Sequence, residues 1–150
     1  MDIALLFRND DFQTDLALDG SDLESGSDLE SAVIQSLFSD RRALSDDPLE
    51  LGESPRGWWG DTYTPIPKDK YGSRLWLLRR EKVLPQVLTR AKEYCTESLQ
   101  WLLDDRVAQT VVIETAVVGK NSDGILGIHV SITQPKGLTR FEYQYAWAGV

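Results

Sequence analysis

The sequence predicts an α+β fold: an N-terminal β-hairpin, two or three helices, and a C-terminal antiparallel β-meander of about three strands. Three observations predict it. Leu29, Val33, Ile34 and Leu37 recur at helical spacing, and so do Leu84, Leu88, Ala91, Cys95, Leu99 and Leu102. Beyond residue 106 the period changes to two, with Leu126, Ile128, Val130 and Ile132 alternating with Gly127, His129 and Ser131. Pro48, Pro55, Pro65 and Pro67, with Gly52, Gly57 and Gly60, collect between the helical runs rather than inside them.

The elements follow in order. Residues 2–8 hold the apolar run Ile3-Ala4-Leu5-Leu6-Phe7 and read as a strand. Residues 12–18 read as its hairpin partner, followed by a turn at Asp19-Gly20-Ser21 and a polar loop over 22–26. Ser27-Asp28-Leu29-Glu30 fits a capping box, in which the Ser hydroxyl accepts the N3 amide and the Glu reaches back. It opens a helix over 28–39, which Asp40-Arg41-Arg42 ends. Residues 43–70 are irregular yet hold Trp58, Trp59 and Tyr63. A linker is poor in aromatics, so an ordered loop is expected, its tryptophans packed on the core or on a neighbour.

Gly72-Ser73 precede a short helix over 74–80, and Pro85 suits the first turn of a longer one over 85–103. Asp104-Asp105 close that helix, although its carbonyl end favours cations. Residues 107–118 are β-branched, Lys120-Asn121-Ser122-Asp123-Gly124 makes a hairpin turn, and Lys136-Gly137 makes another. In the last strand Phe141, Tyr143, Tyr145 and Trp147 alternate with polar residues. The 150 residues are expected to form a single domain, with 1–26 as a hairpin extension and 43–70 as the ordered loop. A chain of this length buries roughly two-thirds of its unfolded surface.

Composition excludes several function classes. One cysteine and one histidine cannot build an ordinary zinc site, and Cys95 falls in an apolar helical stripe, where it reads as packing. No Walker or dinucleotide glycine motif is present, so no cofactor is expected. His129 is the only base a nucleophilic triad could use, and it sits mid-strand on the polar face without a nucleophile elbow. The net charge of −8 is uneven, with 13 acids against 3 bases in the first fifty residues. That balance disfavours nucleic acid, which needs a basic face, and suits ordered docking between protein subunits. No run of about 18 apolar residues supports a membrane span, and the N-terminus lacks a signal-peptide pattern, so the chain is expected in a cytoplasm.

The positive signal is aromatic. Trp58 and Trp59, and the strand with Phe141, Tyr143, Tyr145 and Trp147, supply more aromatic surface than a small core demands. Such residues are enriched at interface hot spots, and core packing is the competing reading. That last strand is also expected to be a sheet edge, open to a strand from another chain.

Longer strings then carry a resemblance. Residues 30–43, Arg56-Gly57-Trp58-Trp59-Gly60-Asp61, residues 72–82 with Ser73-Arg74-Leu75-Trp76, Ala91-Lys92-Glu93-Tyr94 and residues 99–105 resemble the Mu-like phage tail baseplate family, over about residues 2–147. That family looks like a branch of the baseplate-wedge and sheath-initiator family of contractile tails. The resemblance implies a non-enzymatic structural protein of the virion tail baseplate, present in the host cytoplasm during assembly and in multiple copies in a symmetric baseplate. Its implied partners are baseplate wedge proteins and the tail sheath protein, with hub or tube proteins as further contacts. The broader family ends its second helix in Glu-Pro-Arg, which is implied to anchor it to the wedge's helical bundle. Asp104-Asp105-Arg106 falls at that place, and only Arg106 matches directly. The family's sheet is implied to template the first sheath ring. The candidate partner-binding residues are therefore Arg106, Asp104, Asp105, Trp58, Trp59, Arg41, Arg42, Phe141, Tyr143, Tyr145 and Trp147.

Two other readings compete. A peptidoglycan-degrading, lysozyme-like tail enzyme would need a cleft with two facing carboxylates. A small binding module with a regulatory target would need neither a tail nor a cleft.

Overall fold

The computed structural model describes residues 3–10, 13–20, 22–23, 28–67, 69–82, 84–118 and 124–145. The capping-box Ser27, the turn residues Lys120 to Asp123 and Trp147 lie outside them, and Tyr145 is described by its backbone.

The chain begins with β1 (Leu5–Arg8) paired antiparallel to β2 (Gln13–Leu16), in register from Leu5↔Leu16 to Arg8↔Gln13. Both strands are shorter than the apolar pattern suggests. Leu18 leaves the second strand for a smaller hairpin, β3 (Leu18–Asp19) with β4 (Asp22–Leu23), where a loop was expected from residue 22. Gly20, at φ +66, supplies the left-handed residue that this tight turn needs. The first hairpin is docked rather than free. Ser31 of the first helix, 3% exposed, donates to the Ile3 carbonyl and accepts from the Leu5 amide, each at 3.3 Å.

That helix, α1 (Asp28–Phe38), buries Val33, Ile34 and Leu37, the residues its periodicity marks. The expected short helix over 74–80 is a four-residue 3₁₀ turn, Leu75–Leu78. Three of its four residues are buried, and a 3₁₀ turn can present them to more than one side where an α-helix would show a single stripe. The longer helix is divided into α2 (Pro85–Leu99) and α3 (Trp101–Asp104). At Gln100 the hydrogen bond shifts to an i−3 partner, Glu97, while φ −58 and ψ −32 carry the axis onward. One apolar stripe from Val87 to Leu102 is thus buried across the break.

The C-terminal part is a three-stranded antiparallel sheet in the order β5 (Thr110–Val118), β6 (Ile125–Gln134), β7 (Gly137–Tyr145). β6 is central, and its Leu126, Ile128, Val130 and Ile132 are wholly buried, as the alternation requires. α2 packs on β5, where the Thr115 hydroxyl donates to the Leu88 carbonyl at 2.9 Å. The other face is open. It carries a cross-strand row of Glu114, His129 and Glu142, with His129 Nδ1 3.3 Å from Glu142.

An aromatic knot joins the hairpin, α1 and the sheet. Phe7 stacks on Phe38 at 4.2 Å between ring centroids, and Tyr143 meets both edge-on at 5.5 and 5.4 Å. Such pairs add about 0.5–1.5 kcal/mol each beyond burial. The Tyr143 hydroxyl is buried without a hydrogen-bond partner among the described residues. Burial, and then the charge of Glu30, pushes its ionisation far above the ordinary phenol range. Tyr143→Ala should therefore cost about 3–5 kcal/mol in urea unfolding, whereas Tyr143→Phe should be neutral or stabilising by about 1 kcal/mol. Cys95 is fully buried, which pushes its thiol up to about 12. It should react with a thiol reagent only as the protein unfolds.

Candidate interaction surface

The irregular segment after α1 makes a long excursion and returns to the end of that helix. At the return, the Ser73 amide donates to Ser39 at 2.8 Å, the Arg41 amide donates to Ser73 at 2.9 Å, and the Ser73 hydroxyl donates to Leu37 at 2.5 Å. A Cβ on Gly72, at φ +90, would lie 2.4 Å from the Ser39 carbonyl, so this approach requires glycine. Trp76, 3% exposed, donates its indole proton to the Arg41 carbonyl at 2.7 Å, with the Arg56 guanidinium stacked over the ring at 4.5 Å.

The excursion's tip is built differently. A second 3₁₀ turn spans Trp59–Thr62. Asp61 organises it: Oδ1 accepts the Tyr71 amide at 3.1 Å, and its carbonyl accepts Lys70 Nζ at 2.9 Å. Its Oδ2 is buried with no donor among the described residues. The rings of Trp58, Trp59, Tyr63 and Tyr71 form a chain with centroid separations of 5.6–6.1 Å. Trp59 and Tyr63 are 74% and 76% exposed, and Trp58 is 50% exposed. Large rings left so open are uncommon unless something covers them.

Beneath this tip lies a cleft of about 370 Å³ between the loop, α1 and the end of the long helix. Trp58, Tyr71, Trp101, Asp61, Asp69 and Asp105 are among its lining residues. A neighbouring hollow of about 490 Å³ shares Asp69, Trp101 and Asp105 and adds Arg41 and Asp104. At its far side Arg74 pairs with Asp47 at 2.9 Å and Glu97 at 3.0 Å and lies 4.5 Å over the Tyr94 ring. Burial lowers the Arg74 pKa, but hydrogen bonds and charges from Glu97 and Asp47 outweigh it and hold the group above its ordinary value.

The sequence-predicted residues separate into groups. Trp58 and Asp105 share the first cleft, Asp104 and Arg41 border the second, and Trp59 continues the aromatic surface. The Arg41 side chain is only 11% exposed and lies 3.9 Å from Glu97, so it serves the interior. Arg42 and Arg106 are exposed, and neither forms an ion pair among the described residues. Arg106 takes φ +58 where the helix ends, a conformation in which glycine is the usual residue. Phe141 and Tyr143 face the core, so at these two positions the aromatic residues of β7 are packing rather than a free surface. Trp101 and Tyr71 were not singled out by sequence. Trp101 flanks the helical stripe, and Tyr71 adjoins Gly72; neither signal separates a cleft wall from a core.

β7 does remain an edge among the described strands. The Gln144 amide bonds the Asn9 side chain at 3.0 Å, so it points away from β6. Alternation turns the backbone of Leu138, Arg140 and Glu142 the same way.

Comparison with known proteins places the chain in a family. A family model described as Phage protein GP46 matches residues 29–139. Baseplate protein gp46 of Escherichia phage Mu is 39% identical over 151 residues, covering 99% of each chain. Mu-like prophage FluMu protein gp46 of Haemophilus influenzae is 36% identical over 138 residues, covering 92% of this chain and 90% of the relative. The chain belongs to this family of Mu-like phage baseplate proteins.

Arg74→Ala would leave Asp47 buried without its partner. It should cost about 3 kcal/mol in chemical denaturation, the low end for a broken buried pair because Glu97 keeps solvent contact.

Proposed function

We propose that this chain is a structural component of a contractile phage tail baseplate, where it links wedge proteins to the tail sheath and starts sheath assembly. The observation that carries the baseplate role is the full-length match to the phage Mu baseplate protein. Three features support the finer role. Exposed Trp58, Trp59 and Tyr63 give a rigid aromatic face of the kind that dominates protein interfaces. The outward backbone of β7 offers donors and acceptors to an added strand. Arg106, exposed at the helix end, offers a planar charged fork to a carboxylate on a wedge protein.

A lysozyme-like activity is the second reading, because the cleft does hold several carboxylates, Asp61, Asp69 and Asp105, beside tryptophans. Turnover in a peptidoglycan-release assay, lost in Asp69→Asn or Asp105→Asn, would favour it. The baseplate reading expects none.

Arg140→Pro removes an outward-facing amide that the sheet itself does not use, a change edge strands tolerate. It should leave the thermal midpoint nearly unchanged, with baseplates lacking sheath in electron micrographs. Sheathed tails of normal length would overturn the edge role. Arg106→Ala should fold normally yet enter purified baseplates poorly; full incorporation would remove Arg106 from the contact.

A further inference from the structure

We infer that the cleft under the aromatic tip receives an extended, arginine-bearing segment of another tail subunit; this rests on the baseplate reading. Three observations point to the occupant. The walls are tryptophan and tyrosine rings, Trp58, Tyr71 and Trp101, which suit the flat face of a guanidinium. The lining is acidic in balance: Asp61, Asp69 and Asp105 stand against Lys70 in the first cleft, and Arg41 joins Lys70 opposite Asp69, Glu97, Asp104 and Asp105 in the second; Asp69 and Asp105 are exposed, and neither has a cationic partner among the described residues. Asp105 also sits where α3 ends, so its charge adds to the partial negative charge of the helix carbonyls rather than offsetting it. The isolated chain loses stability by that arrangement, and a cation in the cleft restores it.

A third carboxylate oxygen, Asp61 Oδ2, is buried near the same space and lacks a donor among the described residues. Lys70 does not supply one, because its Nζ is directed at the Asp61 carbonyl. The two adjoining hollows, about 370 and 490 Å³, exceed one side chain and accommodate several residues in extended form. Arginine fits better than lysine, since it can stack on a ring and fork a carboxylate at once.

The test uses the purified full chain and its tryptophan fluorescence. Peptides of eight residues alternating glycine with arginine, lysine or glutamate are the probes. The arginine peptide should bind saturably, at least about tenfold more tightly than the glutamate peptide, and more weakly as salt is added. The double variant Asp69→Asn, Asp105→Asn should lose about tenfold in affinity, with a thermal midpoint no lower than that of the parent chain. Equal response to arginine and glutamate peptides overturns the inference, as does binding indifferent to the double variant. Tighter binding of a chitin oligosaccharide than of the arginine peptide also overturns it.

In assembled tails, a benzoylphenylalanine at position 58, on the cleft wall, should crosslink to a tail subunit within a few residues of an arginine. A crosslink between two copies of this chain would overturn the inference. Incorporation into tails with no crosslink at position 58 would sink the inference alone, whereas absence from tails would sink the baseplate reading.

Discussion

The aromatic tip and the cleft beneath it depend on how the excursion after α1 is closed. A stretch without regular structure has a large entropy to lose, and loop-closure cost rises only slowly with length. What must be met is the ordering of its many residues, about 1–2 kcal/mol each. The clasp at Gly72 and Ser73 meets only part of that cost and fixes where the two ends join, through a short backbone bridge, one buried hydroxyl, and a glycine that lets two chains touch. The Trp76 indole and the Arg74 ion pairs then fix the excursion against α1 and α2. Because that base is rigid, the tip can hold its rings outward without collapsing onto the core.

Aromatic residues meet two opposite fates here, and the difference was only partly legible. Alternation in the last strand marked Phe141 and Tyr143 as sharing one face, and they do. It could not say whether that face met the core or solvent. The deciding partners, Phe7 and Phe38, are more than a hundred residues away in sequence. Trp58 and Trp59 posed the same question with the reverse answer: they lie where the 3₁₀ turn at the tip of the excursion begins, and both are exposed. Trp76 is buried instead in the 3₁₀ turn over Leu75–Leu78, and its indole proton finds the Arg41 carbonyl, which removes the cost of burying that donor.

Helices and the meander were readable because their periods are long and unbroken. The β3–β4 hairpin was not, for it spans two residues a side and has no period to see. Nor was the break at Gln100, where the hydrogen bonding changes but the buried stripe does not. The acids at the helix end were visible as a local conflict with the helix carbonyls, and that conflict led to the cleft. Trp101 and Tyr71 became meaningful only once the loop folded over them.

Asn9 has a geometric consequence for the open margin of the sheet. Its side chain already occupies the outward amide of Gln144 and so blocks one end of that margin. A visiting chain could run alongside Leu138, Arg140 and Glu142 but would have to halt there. A single asparagine on a different hairpin would thereby act as a stop that sets the alignment of the visitor.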